Sequence, residues 1–276
     1  MRYILISIFY LSIIYICEAH GDLHARIEAV SSRIAQSPND LELYRQRGEL
    51  YVQHEDYGLA RKDLRRCERG GLKSARLWFY LATVFYHLDK SQRSLSYLSK
   101  ILSENPKDIP ALRLAALNHE NLRRYQSASD FHQLVIISSI RPIPENFLEA
   151  ASATLMSRDT MEAIEILEDG LSKLGPVPGL ETELINCYLS VLEFDKALTL
   201  QDRIIARSNR KEFPLARRAE IHCSIGDLSS CQFDVLAARD AISSLPPRLQ
   251  QNSSVLQLKN RLNGLMNTYL PNVSTK

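Results

Sequence analysis

Glycine and proline are scarce in this chain of 276 residues, numbering ten and eleven. β-Branched runs are few as well, and this pair of shortages favours helix throughout. An excess of one charge is also missing: 34 lysines and arginines stand against 32 carboxylates, a formal net charge of +2. A nucleic-acid binder normally concentrates basic charge on its surface, so this balance gives no support to a nucleic-acid partner. The sequence contains no phosphate-binding GxxxxGK[ST], no GxGxxG, no GxSxG and no HExxH. Those motifs supply the backbone cradles, nucleophiles and metal ligands of the common enzyme classes. Their absence leaves no catalytic residue to nominate, so the expectation is a non-enzyme without a cofactor.

Long apolar runs are missing from the body of the chain, and the exception stands at its start. Met1-Arg2 supplies a positive end, Tyr3–Ile16 is almost wholly apolar, and Cys17-Glu18-Ala19 places small residues before His20. The run spans 14 residues, short for a membrane span and typical of a secretory signal peptide. Residues 1–19 are therefore expected to leave the mature chain by cleavage after Ala19, with export to a periplasmic or extracellular compartment. Two alternatives stand beside it: a lipoprotein beginning at Cys17, disfavoured by Ile16 before it, and an uncleaved membrane anchor. Membrane contact is expected only in the second. Cleavage would leave His20 as the amino terminus with His24 four residues on. Amine and imidazole nitrogens in that arrangement can hold a metal, although two histidines in a frayed leader ordinarily hold nothing.

Cysteine is sparse too, five in all. Cys67 and Cys187 fall at helical packing positions and read as small buried hydrophobes. Cys223 and Cys231 lie four residues either side of Asp227, facing each other across a helical hairpin. In an oxidising compartment they could pair. Two packed thiols are the plainer reading, because helix axes 8–10 Å apart often hold Cα atoms beyond disulfide reach.

What the chain does have is a period. Ala75 to Pro106 reads as two amphipathic helices around the polar turn Asp89-Lys90-Ser91, with Trp78, Leu81, Ala82 and Phe85 on the first and Leu95, Leu98 and Ile101 on the second. The same large-small-large pattern stands at Tyr44, Gly48 and Tyr51, and again at Leu112, Ala116 and His119. Tyr57, Ala60 and Leu64 in the first unit match Tyr125, Ala128 and His132 in the third. After Arg141-Pro142-Ile143-Pro144 the register slips by one residue, and looser units follow around Ala151, Ala197 and Ala219. This spacing resembles the tetratricopeptide repeat, a helix-turn-helix unit of about 34 residues.

The resemblance implies an all-α, right-handed superhelical array of antiparallel helix pairs. Residues 20–40 form an N-terminal capping helix, 41–142 three well-formed repeats, 143–245 three degenerate repeats, and 246–276 a C-terminal capping helix with a frayed tail. It also implies a concave groove lined by the first helix of each repeat. Carried over, the groove positions include Arg45 and Glu49 in the first repeat, then Arg76, Phe79, Thr83, Tyr86 and His87 in the second. The third contributes Arg113, Leu117 and Glu120. Members that clamp a peptide's terminal carboxylate use lysine and asparagine there; Glu49 and Thr83 stand in place of the asparagines, so that ligand class does not fit. Aromatic residues beside arginines are common binding hot spots, and the expected partner is a protein or peptide segment. Two basic stretches, Arg61–Arg69 and Arg203–Arg218, read as solvated outer surface, with an acidic partner or anionic lipid as the lesser reading.

Overall fold

A computed structural model describes residues 22–269, and every regular element among them is an α-helix. The proposed leader, its cleavage site and His20 lie outside the described residues. Helix α1 is described over residues 22–36. There follow α2 (Leu41–Gln53), α3 (Tyr57–Arg69), α4 (Ala75–His87), α5 (Ser91–Glu104), α6 (Ile109–Asn121), α7 (Tyr125–Ser138) and α8 (Pro144–Met156). The later helices are α9 (Thr160–Leu174), α10 (Pro178–Ser190), α11 (Phe194–Arg207), α12 (Glu212–Ser224), α13 (Leu228–Ser243), the short α14 (Pro247–Gln250) and α15 (Ser253–Tyr269). The chain forms two compact units that meet in sequence at Asp159 and Thr160, inside the stretch read as the fourth repeat.

The repeat is written most plainly in the turns. A left-handed residue ends each first helix: Glu55, Asp89, Arg123, Arg158, Leu192 and Gly226. Each is followed by a backbone N–H that donates five residues back, as in Asp56 to Tyr51 at 2.8 Å, Lys90 to Phe85 at 2.8 Å and Asp227 to His222 at 3.0 Å. This closure satisfies carbonyls that a helix end would otherwise leave open. Only the sixth turn uses glycine; the other five hold side chains where left-handed backbone costs roughly 1–2 kcal/mol. Starts repeat as well. The side chains of Asp40, Ser74 and Asp108 accept backbone N–H bonds at the beginnings of α2, α4 and α6. At α8 and α10 that cap gives way to a proline in the first turn, where its missing N–H costs nothing.

In the first unit the two-helix layers close over Leu64, Leu77, Leu81, Phe85 and Leu98, all essentially without solvent contact. Gly48 permits a close approach of α2 to α3, since a Cβ there would stand 2.8 Å from the Leu64 side chain. Besides its hairpin partner, α2 meets α4 and α4 meets α6, whereas no comparably extensive contact joins α3 to α5 or α5 to α7. First helices therefore line the inner side of this unit and second helices splay on the outer side. In the second unit α9 to α13 pack in succession, and α15 lies across α12 and α13. Val255, Leu258, Leu262 and Met266 are the buried face of that closing helix.

Both units carry one polar core element at the same repeat position. Arg47 donates to Asp63 from Nε at 2.7 Å and Nη2 at 3.0 Å. Arg218 holds Asp234 in the same fork, at 2.8 and 2.7 Å. Both aspartates are buried. The corresponding positions in the second repeat are Leu81 and Tyr97, and in the fifth Leu184 and Leu200.

Candidate partner-binding face

The inner side of the first unit is tied together by charge. Arg76 of α4 grips Glu49 of α2 with Nε and Nη2, each at 2.8 Å. Arg45, one turn before Glu49, pairs with the same carboxylate and donates from Nε to Glu42 at 2.7 Å. The hydrogen bond from Arg45 lowers the Glu42 pKa, and the bond to Glu42 raises that of Arg45. Glu49 is only 6% exposed. It serves as the shared anchor beneath two arginines, not as an open groove acid, because an ionised carboxylate at that depth requires partners. Arg76 remains 64% exposed in its side chain and is free to meet a ligand. Beside this network α1 contributes Arg26, Ala29 and Val30 to a depression of about 400 Å³ that also holds Glu49, Gln53 and Arg76. Arg26 was not legible as a site residue, because α1 was read as a cap and groove positions were carried over only onto the first helix of each repeat.

Along α4, Phe79, Thr83 and Tyr86 are partly exposed and His87 is exposed. His87 stacks on Tyr57 with ring centroids 4.2 Å apart, and Tyr86 meets it edge-on at 5.1 Å. Thr83 turns its hydroxyl back to the Phe79 carbonyl at 3.0 Å, leaving its methyl group as the outward feature. The aromatic patch is thus built from one helix and braced by the start of α3.

Farther along, Arg113 of α6 lies 3.6 Å from Glu149 of α8. Buried His132 reaches Glu120 through Nε2 at 2.9 Å. Glu149 and His132 complete this end of the face, and neither belongs to the groove set inferred by resemblance. Leu117 stands on the same helix and is 38% exposed. Among the nominated residues, the structure joins Arg45, Glu49 and Arg76 directly and packs Tyr86 against His87, whereas Phe79, two turns earlier on α4, packs edge-on against Tyr80 with centroids 6.2 Å apart. Arg113, Leu117 and Glu120 occupy the next first helix.

The remaining sequence candidates lie elsewhere. Cys223 and Cys231 are joined as a disulfide, with Cα atoms 5.1 Å apart. The packed-thiol expectation fails here because both residues sit beside the tight Gly226 turn, where the hairpin axes have not yet diverged. Cys67 and Cys187 are free and buried, and burial pushes the Cys67 thiol up to about 11. His24 lies on an exposed stretch of α1, 3.4 Å from Glu28. Among the described residues no cluster of three or more potential ligands could hold a metal, and no helix is long and apolar enough to cross a membrane.

No protein-family model matches this sequence, and no curated protein matches it. Solved structures do. The C-terminal part of a TPR repeat-containing protein from Cytophaga hutchinsonii aligns over 87% of this chain and 95% of its own, with 14% identity and a TM-score of 0.65. A tetratricopeptide repeat protein from Parabacteroides merdae aligns over 91% and 95%, with 16% identity and a TM-score of 0.51. MamA from Desulfovibrio magneticus aligns over 59% and 92%, with 15% identity and a TM-score of 0.51. Identities this low speak for architecture alone. The chain is an all-α solenoid with the fold of tetratricopeptide-repeat proteins.

Proposed function

We propose that this protein is a non-catalytic scaffold that binds a protein segment on the inner, first-helix face of its first unit. The observation that carries the reading is the placement of partly exposed Phe79 and Tyr86 and exposed His87 on the same helix as Arg76, with Phe79 one turn from Arg76. Aromatic and arginine side chains bind with large buried area and directed hydrogen bonds, and Arg76 is held outward by the buried Glu49 beneath it. Leu117 and Met156 extend the face with exposed apolar surface. The segment is expected to lie across α4 and α6, its apolar side chains on Tyr86 and Leu117 and a carboxylate or carbonyl at Arg76 or Arg113.

Export belongs to the same proposal. The apolar leader and the Cys223–Cys231 disulfide both support it, since disulfides persist chiefly in oxidising compartments. The test is site-specific photo-crosslinking of the full chain in its native host, with the probe at Tyr86 or Leu117 on the inner side and at exposed Ser99 on α5. One protein crosslinked from both inner positions and absent from Ser99 is the expected result. Crosslinks confined to Ser99 would overturn the assignment of the face.

A further inference from the structure

The outer side of the first unit has its own feature. Because α3 and α5 splay, a cleft of about 450 Å³ opens between them, floored by Phe85 and lined by Arg61, Lys62, Arg65, Arg69 and Arg93, with no carboxylate among its lining residues. These five cations are all exposed. Of these, only Arg65 has an ionic partner among the described residues, Glu68 at 3.5 Å, and it also donates to the Tyr97 hydroxyl at 3.2 Å. Arg69 donates only to a backbone carbonyl, at 3.3 Å, and Arg93 rests over Phe85, 5.9 Å from the ring centroid.

The other basic stretch shows what an ordinary structural role looks like. Arg207 pairs with Glu181, Arg210 with Glu212, Arg217 with Glu220, and Arg218 with both Asp202 and Asp234. Four of that stretch's six cations are thus paired with carboxylates. The α3–α5 cleft collects positive charge and leaves it unanswered, at an electrostatic cost that an anionic ligand would remove.

We infer that this cleft is a second binding site, taking an extended acidic protein segment with carboxylates at alternate positions. Arg61, Arg65 and Arg69 recur every four residues along α3, a step of about 6 Å. An extended chain places alternate side chains on one face at about 6.6 Å. Three successive carboxylates therefore match three successive guanidinium groups within the reach of flexible arginines, and each pair can form the two-bond fork that arginine offers a carboxylate. Arg93 from α5 and Lys62 supply charge along the flanks. A single-stranded nucleic acid would want exposed rings for base stacking, and the only ring in the cleft, Phe85, is 1% exposed. A cleft between two helices receives a chain better than it receives the plane of a bilayer.

The probe is a labelled decapeptide of alternating aspartate and threonine, titrated by fluorescence anisotropy against the full-length protein in a non-ionic detergent at low salt. Its comparators are a block peptide of the same composition, an oligothymidylate, and mixed micelles containing phosphatidylserine. The alternating peptide should bind more tightly than the block peptide and weaken as salt screens the cleft. Arg61→Glu with Arg69→Glu should weaken it about tenfold or more, since two attractive pairs are lost and two repulsive ones are added. Arg61→Lys with Arg69→Lys should retain most of the affinity, with unchanged helical signal and melting in both variants. Equal binding of the block peptide, or no effect of charge reversal, overturns the inference. So does reversal-sensitive binding of the oligothymidylate or the micelles in place of the peptide. The inner-face crosslinks do not depend on this cleft, so either site can fail alone.

Discussion

The Arg47–Asp63 fork is the sharpest place to test how the first unit is held together. Asp63 is 5% exposed in its side chain and Arg47 is 19% exposed, while Arg47 also donates from Nη1 to Ser31 of α1 at 3.1 Å. Three helices thus share one guanidinium. Replacing Arg47 with leucine leaves a buried carboxylate without a partner, a class of change that costs about 3–5 kcal/mol. The partial exposure of Arg47 puts Asp63→Leu lower, at about 2–3 kcal/mol, because the orphaned guanidinium can still reach water. The fifth repeat fills the same two positions with Leu184 and Leu200, so Arg47→Leu with Asp63→Leu should return to within about 1 kcal/mol of the parent. The chain has a single tryptophan, Trp78 on α4, so its fluorescence during urea unfolding reports the first unit specifically. With a mid-range slope of about 2 kcal/mol per molar urea, the Arg47→Leu midpoint should fall by roughly 1.5–2.5 M. A double variant as unstable as Arg47→Leu alone, or single variants costing under about 0.5 kcal/mol, would refute the reasoning.

Three further outcomes follow from the same structure. Burial holds the His119 pKa below its usual value, and the ring stacks on Phe131 with centroids 5.2 Å apart. The fold therefore disfavours its protonated form: the first unit should keep its stability above about pH 6.5 and lose some as pH falls through the folded value. His119→Phe should flatten that part of a midpoint-versus-pH curve. Leu192 is held at φ 63° and is 71% exposed, so Leu192→Gly should raise the melting temperature, by relief of about 1 kcal/mol of backbone strain. Thiol titration of the denatured chain beginning at His20 should count two thiols before reduction and four after it, given free Cys67 and Cys187 and one disulfide. Closing so short a loop contributes about 2.5 kcal/mol in the chain-entropy account, and Cys223→Ser with Cys231→Ser should destabilise the second unit accordingly.

The architecture was legible because packing residues recur. Gly48, Ala82 and Ala116 must be small where a facing helix passes, and Phe85 must be large where a layer closes, so the period survives in the letters. Turns such as Asp89-Lys90-Ser91 were legible as polar breaks, but their left-handed closure was not, because five of the six left-handed positions carry Glu, Asp, Arg or Leu in place of glycine, and tertiary packing absorbs the strain. The groove was legible only in part. Position along the repeat put Arg45, Glu49 and Arg76 on one side of the array. It could not tell that Glu49 sinks beneath the two arginines, which depends on α2 and α4 meeting across the layer. The outer cleft was visible as a basic run, yet its lack of counter-ions required α5 and the splay of the second helices. The disulfide turned on a Cα separation that a sequence does not contain.

The account stands most directly on the inner face of the first unit. The decisive measurement is the dissociation constant of the crosslinked partner, or of its bound segment, for the parent chain and for Tyr86→Ala with Leu117→Ser. Two side chains at the centre of the face should carry at least about 2 kcal/mol, a loss near 30-fold, with the helical signal and Trp78 unfolding midpoint unchanged. An unchanged dissociation constant in that folded variant would contradict the account.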